Sequence, residues 1–175
     1  ANNQDNWLAE SALYGVADGM GGHKGGETAR RVALQVFQNA IGQKMPAANT
    51  IRMAVEAANR RVYDMSSHDD SLSGMGTTLT VLWVSQEEIM VGHVGDSRAY
   101  RMRDGELTQM TRDHSMVAEM VREGLLTPEA AACHPMRNVI TRAVGTEEGV
   151  KERRRSSASD QERGVEAVHR METPG

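Results

Sequence analysis

The sequence predicts an α+β fold in which helices and antiparallel strands form separate layers. Two observations carry this prediction: apolar residues recur with helical spacing over residues 27–65, and short strand-like runs follow over residues 77–110. Helices and strands in separate blocks are typical of layered α+β domains and not of alternating parallel folds. Hydrophobic residues make up 39% of the 175 residues and charged residues 25%, which is ordinary for a globular domain with a buried core.

Two long amphipathic helices are predicted in the first half of the chain. We expect the first to start at Glu27, because an apolar stripe with helical spacing follows, formed by Ala29, Val32, Ala33, Val36, Phe37, Ala40 and Ile41. A similar stripe predicts a second helix from about Ala47. Further along, Asp113 is a suitable N-cap for a third helix, and Thr127 followed by Pro128 is typical of the start of a fourth.

Strands are predicted before and after these two long helices. The apolar run 13–17 ends at Asp18 and a cluster of glycines, which predicts a buried strand with Asp18 at its exit. The runs 77–84 and 89–94 predict two more strands, the second of which ends near Asp96.

A hairpin and one further strand complete the predicted elements. Residues 98–102 and 106–110 are strand-like runs on either side of Asp104 and Gly105, and an Asp-Gly pair in this position is a strong hairpin signal. Residues 138–144 are predicted to form the last strand.

Charge and cysteine content exclude several classes of function. The formal net charge of −4 gives no general attraction to nucleic acid or to anionic membranes. No apolar run approaches the ~18 residues that a membrane-spanning helix needs, and residues 1–10 lack the basic start and apolar middle of a signal peptide. The single cysteine, Cys133, cannot form an internal disulfide. We therefore expect a cytoplasmic protein with no membrane segment and no nucleic-acid partner.

The glycine-rich stretch that follows Asp18 is the first candidate functional site. A carboxylate followed by flexible backbone suits a hard divalent cation such as Mg²⁺ or Mn²⁺, because such ions prefer oxygen ligands and glycine lets a carbonyl group approach. Lys24 excludes two other kinds of loop. A P-loop needs Gly-Lys-Ser/Thr at its end, and a dinucleotide-binding fingerprint counted from Gly19 needs glycine at position 24. A plain strand-to-helix turn that binds nothing remains as the alternative.

Two more aspartates are candidates on weaker grounds. Asp96 also ends a strand-like run, so we expect it to meet Asp18 at one edge of the β core. The alternative for Asp96 is a turn residue whose carboxylate hydrogen-bonds nearby backbone. Asp5 lies in the polar start of the chain and on its own indicates almost nothing.

Together these segments resemble the motifs of bacterial PPM-type (protein phosphatase 2C-like) metal-dependent serine/threonine protein phosphatases. The segments keep the order and spacing of that family and read Asn3-Gln4-Asp5, Val16-Ala17-Asp18-Gly19-Met20-Gly21-Gly22-His23, Gly74-Met75-Gly76-Thr77-Thr78, Gly95-Asp96-Ser97-Arg98-Ala99-Tyr100 and Arg103-Asp104-Gly105-Glu106-Leu107-Thr108-Gln109-Met110-Thr111-Arg112-Asp113-His114-Ser115. The resemblance covers about residues 1–149.

The resemblance implies a four-layer α-β-β-α sandwich with two Mn²⁺ or Mg²⁺ ions at one edge, and a third, looser ion in bacterial members. Asp18 would bridge the two metals, the carbonyl of Gly19 would bind one of them, and Asp96 would hold the third. Asp5 would lie close to the metal-bound waters, so Asp18 and Asp5 are the expected catalytic residues. Gln4 stands where the family often has Glu, and we do not expect it to be a direct ligand.

The implied activity is the hydrolysis of phosphoserine and phosphothreonine in proteins by a metal-activated water, without a covalent enzyme intermediate. The implied partners are phosphorylated proteins and a serine/threonine kinase whose action is reversed. His23 either donates a proton to the leaving alkoxide or only shapes its loop. We expect His93 and His114 to be structural.

The chain departs from the family pattern after Gly149. Two later metal-binding aspartates of the family, in an Asp-Gly-Leu turn and an Asp-Asn pair, have no match there. We therefore divide the chain into residues 1–149, the N-terminal two-thirds of a phosphatase domain, and residues 150–175, a charged tail expected to be disordered or weakly helical. A sandwich without its C-terminal strands exposes an apolar face, which predicts poor solubility. The alternative function is a catalytically inactive, truncated module that binds metal or phosphoprotein.

Overall fold

The computed structural model describes residues 5–10, 12–41, 48–84, 88–149 and 171–172. The elements of these residues are β1 Asp5–Glu10, β2 Leu13–Met20, α1 His23–Ile41, α2 Ala48–His68, a 3-10 helix Asp70–Leu72, β3 Gly76–Thr77, β4 Leu79–Val84, β5 Glu88–Val94, β6 Tyr100–Arg103, β7 Glu106–Gln109, α3 Met116–Arg122, α4 Pro128–Ala132 and β8 Met171–Glu172. The helix pair and the antiparallel strands come in separate blocks, so the predicted α+β class is confirmed.

A six-stranded antiparallel sheet, called the main sheet below, is the centre of the fold. Its strands lie in the order β1-β2-β4-β5-β8, and β3 pairs with the end of β2. The edge strand β1 was not predicted, because its sequence DNWLAE lacks a regular alternation of apolar and polar residues. At the other edge, β8 pairs with the start of β5, although the sequence predicts a disordered or weakly helical tail. The rest of that predicted tail lies outside the described residues.

Helices α1 and α2 cover one face of the main sheet. Strand β2 alternates, with Leu13, Gly15 and Ala17 buried and the residues between them exposed. A side chain at Gly15 would lie 3.4 Å from Leu34 of α1, so the buried face of β2 is the face that meets the helices. Their predicted apolar stripes supply much of the core, which includes Phe37, Ile51, Val55, Val62, Leu79 and Val81. None of the helices in the described ranges is both long and apolar enough to cross a bilayer.

The opposite face of the main sheet, called the open face below, is only partly covered by the described residues. Tyr14 and Val16 of β2 are each 45% exposed on it. Their register partners on β4 are Leu82, which is partly buried, and Thr80, which is buried, so Tyr14 and Leu82 are adjacent apolar residues on this face. A separate two-stranded sheet, formed by β6 and β7, and the short helices α3 and α4 follow later in the chain.

Helix α1 begins at His23, four residues before the predicted start at Glu27. The prediction is wrong because Gly25 and Gly26 favour a loop by local propensity. Both are buried in the first turns of the helix, where the missing side chains allow close packing. A Cβ atom at Gly26 would lie only 2.9 Å from the carbonyl carbon of Gly19. The loop between β2 and α1 is therefore much shorter than the glycine content suggested.

Strand β2 continues to Met20, so Asp18 lies within a strand and not at its exit, as was predicted. Pairing with β3 explains the extension. Gly19 is the register partner of Thr77, and Met20 is the partner of Gly76.

Two predictions for the second half of the chain are wrong. Helix α3 is capped by Ser115, whose side chain accepts the N–H of Ala118, because the carboxylate of the predicted cap, Asp113, is bound by Arg98. Residues 138–144 form two isolated bridges and no strand in the described structure, since the two bridges go to different segments of the chain.

Two other predictions for this half are confirmed. The β6–β7 hairpin turns at Asp104 and Gly105, whose φ angles are 51° and 82°. Positive φ at both central residues is the mark of a type I′ turn, which matches the twist of the flanking strands. Helix α4 begins at Pro128 with Thr127 as its N-cap.

Candidate metal centre

Asp18 is held in place through its backbone by two threonines. Its N–H donates to Thr78 Oγ1 at 3.0 Å. Its carbonyl oxygen accepts the N–H of Thr78 at 2.9 Å and the hydroxyl of Thr77 at 3.0 Å. Both threonines are buried, whereas Asp18 is exposed. The strand therefore offers the Asp18 carboxylate at the surface from a firmly held backbone.

Strand β1 places Asp5 opposite Asp18. The two are register partners in the antiparallel β1–β2 pair, and opposed residues in such a pair have Cα atoms about 4.5–5.5 Å apart. The two expected catalytic residues are thus neighbours in the main sheet. Asn3 and Gln4 of the same motif lie outside the described residues.

Gly19 lies so close to Gly26 of α1 that neither position admits a side chain. A Cβ atom at Gly19 would be 2.1 Å from the carbonyl oxygen of Gly26, and one at Gly26 would be 3.0 Å from the carbonyl oxygen of Gly19. Because Gly26 has no side chain, the backbone of α1 approaches the backbone of Gly19 directly at this point. The carbonyl of Gly19 is the group that the motif resemblance assigns to a metal.

Asp96 lies in the loop after β5, called the Asp96 loop below (residues 95–97), and this loop contacts Thr78. The Oγ atoms of Thr78 and Ser97 are 2.9 Å apart. Gly95 has a φ of 114°, and a Cβ atom there would lie 2.6 Å from the Cβ of Thr78. The segments that carry Asp18 and Asp96 therefore meet at Thr78.

Two buried histidines, His93 and His114, support the Asp96 loop from the interior of the protein. His93 Nε2 donates to the carbonyl oxygen of Arg112 at 3.1 Å. His114 Nδ1 accepts the N–H of Gly95 at 3.0 Å, and the two imidazole rings stack with centroids 5.1 Å apart. Each histidine is 1% exposed, so these contacts are structural and neither ring is open to a substrate.

The start of α1 is joined to the 3-10 helix by polar contacts. Lys24 Nζ donates to Ser71 Oγ at 3.3 Å. The Ser71 hydroxyl in turn donates to the carboxylate of Asp69 at 2.6 Å, and this hydrogen bond lowers the pKa of Asp69. His23 is the exposed first residue of α1, directly after the loop that follows β2.

The candidate donor atoms are of the kind that a hydrated divalent cation binds. They are oxygens of carboxylates and of one backbone carbonyl, which suits Mg²⁺ or Mn²⁺ better than a soft metal. Within the part of the chain that the structure describes, no group of three or more His, Cys, Asp or Glu residues is placed to hold a metal ion. A small number of protein ligands is nevertheless typical of Mg²⁺, which keeps several waters and often uses one or two carboxylates together with substrate phosphates.

The residues that hold these segments together were not singled out from the sequence. Thr78, Ser97 and Gly26 contribute hydrogen bonds or close backbone contact and need not touch a ligand. A hydroxyl residue that directly follows a glycine-rich run, as in 74–78, is the signal for such a role, because Ser and Thr side chains readily hydrogen-bond nearby backbone.

Comparison with known proteins identifies the family. The family model described as Protein phosphatase 2C matches residues 1–147. The serine/threonine protein phosphatase PstP of Mycobacterium tuberculosis is 40% identical over 147 residues, which is 82% of this chain and 28% of PstP. The chain therefore belongs to the protein phosphatase 2C, or PPM, family, as its motifs indicated.

Solved structures agree with this assignment. The crystal structure of M. tuberculosis PstP has a TM-score of 0.77 and 39% identity, and the match covers 85% of this chain and 64% of that chain. A structure of the PstP catalytic domain in complex with two manganese ions has a TM-score of 0.73 and 37% identity, and the match covers 63% of that chain. The predicted PPM-type fold is confirmed, and this chain spans less than two-thirds of the solved structures it matches.

Proposed function

We propose that this chain contributes to the metal-dependent hydrolysis of phosphoserine and phosphothreonine in proteins. One observation carries the proposal: Asp5 is the register partner of Asp18, at the point where the Asp96 loop reaches the same strand through Thr78. Family membership supports the reaction, and the manganese-bound relative supports Mn²⁺ or Mg²⁺ as the cation. In this proposal residues 1–149 are the N-terminal two-thirds of the phosphatase domain, and residues 150–175 are a charged tail.

Each aspartate has its own role in this proposal. Asp18 and the carbonyl of Gly19 hold a pair of cations, and Asp96 holds a further one. Asp5 lies beside the water ligands. Bound cations supply positive charge for the phosphoryl oxygens and lower the pKa of water. The chain's own contribution would be to hold the backbone that carries these oxygens before substrate arrives, and the hydrogen bond to the N–H of Asp18 and the Gly19–Gly26 contact support this role.

The proposed substrates are proteins that carry phosphoserine or phosphothreonine, and the proposed counterpart is the serine/threonine kinase that phosphorylates them. A cytoplasmic location completes the proposal. It is supported by the single cysteine of the sequence, because Cys133 is exposed and an exposed thiol without a partner suits a reducing compartment.

Phosphate release from a phosphothreonine peptide in the presence of Mn²⁺ tests the proposal. We expect the chain to release phosphate from the peptide. Asp18→Asn should lower the rate of phosphate release about a hundredfold or more, the size of effect seen when an electrostatic stabiliser is removed. Asp104→Asn is the matched control, since this exposed aspartate lies in the hairpin turn and asparagine tolerates its positive φ. Equal activity of the parent chain and Asp18→Asn would overturn the metal assignment.

The same experiment separates the enzyme from the inactive module. A parent chain without activity that still retains the phosphothreonine peptide in a pull-down would be the non-catalytic binding module. A parent chain that neither hydrolyses nor retains the peptide contradicts both functions.

A further inference from the structure

We infer that Thr78 is a positioning residue that sets the distance between Asp18 and the Asp96 loop, and through it the affinity for divalent cations. The inference rests on the proposed function, because it concerns the cations that these aspartates hold. Thr78 lies between β3 and β4 and is 0% exposed. Its side chain therefore reaches no ligand, and any effect on the site passes through Asp18 and the loop.

The hydroxyl of Thr78 joins the two segments directly. Its oxygen accepts the N–H of Asp18 at 3.0 Å and lies 2.9 Å from Ser97 Oγ. Since a backbone N–H can only donate, the Thr78 oxygen is the acceptor toward Asp18, and its own proton is available for Ser97. The backbone N–H of Thr78 also donates to the Asp18 carbonyl oxygen at 2.9 Å. One residue thus binds Asp18 on both sides of its Cα atom and the Asp96 loop as well.

The hydrocarbon part of Thr78 fixes the same loop by contact. A Cβ atom at Gly95 would lie 2.6 Å from both Cβ and Cγ2 of Thr78, so the loop backbone rests on the threonine side chain. Ser97 is held from a second direction, because the hydroxyl of Thr80 donates to its carbonyl oxygen at 3.1 Å. Serine at position 78 keeps the hydroxyl contacts and loses the methyl contact. Valine keeps the shape and loses the hydrogen bonds, so the two variants separate the contributions.

Mn²⁺ binding to the full chain is the decisive measurement. Electron paramagnetic resonance monitors this binding, because the signal of free Mn²⁺ disappears as the ion binds. Thr78→Val is compared with Thr78→Ser and with the matched control Thr111→Val. Thr111 is also buried, and its Oγ1 accepts a backbone N–H, that of Ala99, at 3.1 Å. Thermal unfolding of each variant without metal reports the stability that the substitution removes.

Thr78→Val is expected to weaken Mn²⁺ binding about tenfold or more, the usual effect of removing a group that orients a metal ligand. Thr78→Ser should recover most of the affinity, and Thr111→Val should bind like the parent chain even though it unfolds at a lower temperature. If Thr78→Val does not fold, Ser97→Ala removes the other end of the same hydrogen bond and is expected to weaken binding in its place.

Three results would overturn the inference. Parent-like binding by Thr78→Val, with binding lost in Asp18→Asn, refutes the role of Thr78 and leaves the proposed function standing. An equal loss in Thr111→Val shows that lower stability and not positioning is the cause. A parent chain that binds no Mn²⁺ contradicts the proposed function and the inference together.

Discussion

Asn59 of α2 holds Gly145, which lies 86 residues further along the chain, through a hydrogen bond of 2.7 Å from the N–H of Gly145 to Asn59 Oδ1. The other end of the same amide donates to the carbonyl oxygen of Glu147 at 3.0 Å. This clamp keeps Val144 beside Thr77, where the two residues exchange backbone hydrogen bonds of 3.0 and 2.8 Å. Helix α2 therefore supports β3, the short strand that pairs with Gly19, through this clamp.

Replacing Asn59 by alanine should destabilise the fold strongly. Asn59 is 2% exposed, and the change leaves one backbone donor and one backbone acceptor without their partner. At about 1–3 kcal/mol for each of the two unsatisfied groups, we expect a loss of about 2–6 kcal/mol in the free energy of unfolding. Urea denaturation measures the loss. Asn49→Ala, on the same helix but exposed, is the control, and an equal effect of both substitutions would contradict the clamp.

Gly19→Ala tests the contact between β2 and α1. The new Cβ atom would stand 2.1 Å from the carbonyl oxygen of Gly26, a backbone atom that cannot rotate away. We expect a loss of about 3 kcal/mol, the upper part of the usual range for overpacking. Gly149→Ala has open space around the new atom and should leave the unfolding temperature unchanged. A Gly19→Ala variant as stable as Gly149→Ala would refute the close approach.

The ion pair between Arg98 and Asp113 should contribute more than an ordinary surface pair. Arg98 Nε donates to Asp113 Oδ1 at 2.9 Å and Nη2 donates to Oδ2 at 2.5 Å, and these bonds raise the pKa of Arg98 above its usual range. Because the side chain of Asp113 is only 10% exposed, we expect Asp113→Asn to cost about 1.5–3 kcal/mol. The partly exposed helix pair Arg52–Glu56 is the comparison, and Glu56→Gln should cost about 0.3–0.5 kcal/mol. Chemical denaturation of both variants should rank them in this order.

Asp69 gives the fold a pH dependence of known sign. The Ser71 hydroxyl lowers the pKa of Asp69, so the stabilisation is present above the ordinary aspartate pKa and is lost as the pH falls through the lowered value. Ser71→Ala should raise the pKa of Asp69 toward its ordinary value. The variant should be less stable than the parent near neutral pH and equal to it in strong acid. An NMR titration of the Asp69 carboxyl carbon checks this, with Ser73→Ala as the control, which should leave the titration of Asp69 unchanged.

The open face of the main sheet predicts self-association. Tyr14 and Val16 are each 45% exposed there, and contiguous exposed apolar surface is a common cause of association. Replacing both by threonine keeps a good strand former and should lower the concentration dependence in sedimentation velocity, together with the binding of a hydrophobic dye. Met53→Gln is the control, because Met53 is a single exposed apolar residue on α2. A parent chain that stays monomeric at high concentration would contradict the prediction.

The fold class, the two long helices and the hairpin were predictable from the sequence, because helical stripes and the Asp-Gly hairpin signal are local properties. The apolar stripe of α1 correctly predicted a helix, but the predicted start of this helix was wrong by four residues. Glycine predicts a loop from local propensity, whereas Gly26 is helical because α1 packs against the backbone of Gly19. Such a contact between segments cannot be inferred from either segment alone.

The supporting contacts of the candidate site were not predictable for a similar reason. Asp113 has the residue type of an N-cap, but its carboxylate is bound by Arg98 and the cap passes to Ser115. Strand β1 has no periodic signal, so its register with Asp18 depends on the pairing of the backbone. The sequence motifs identified the candidate aspartates. Only the tertiary structure showed that Asp18 and the Asp96 loop both contact Thr78.

The alternation along β2 has a consequence for mutational scanning. Residues 13, 15 and 17 face the helices, and residues 14, 16 and 18 face away from them. In a saturation library, the cellular abundance of variants should therefore rise and fall with every second residue, and Asp18 should tolerate many replacements by that measure. Selection for Mn²⁺ retention should instead give Asp18 the narrowest profile of the strand. A position at which the abundance profile and the Mn²⁺-retention profile differ is one whose side chain is needed for metal binding and not for the fold.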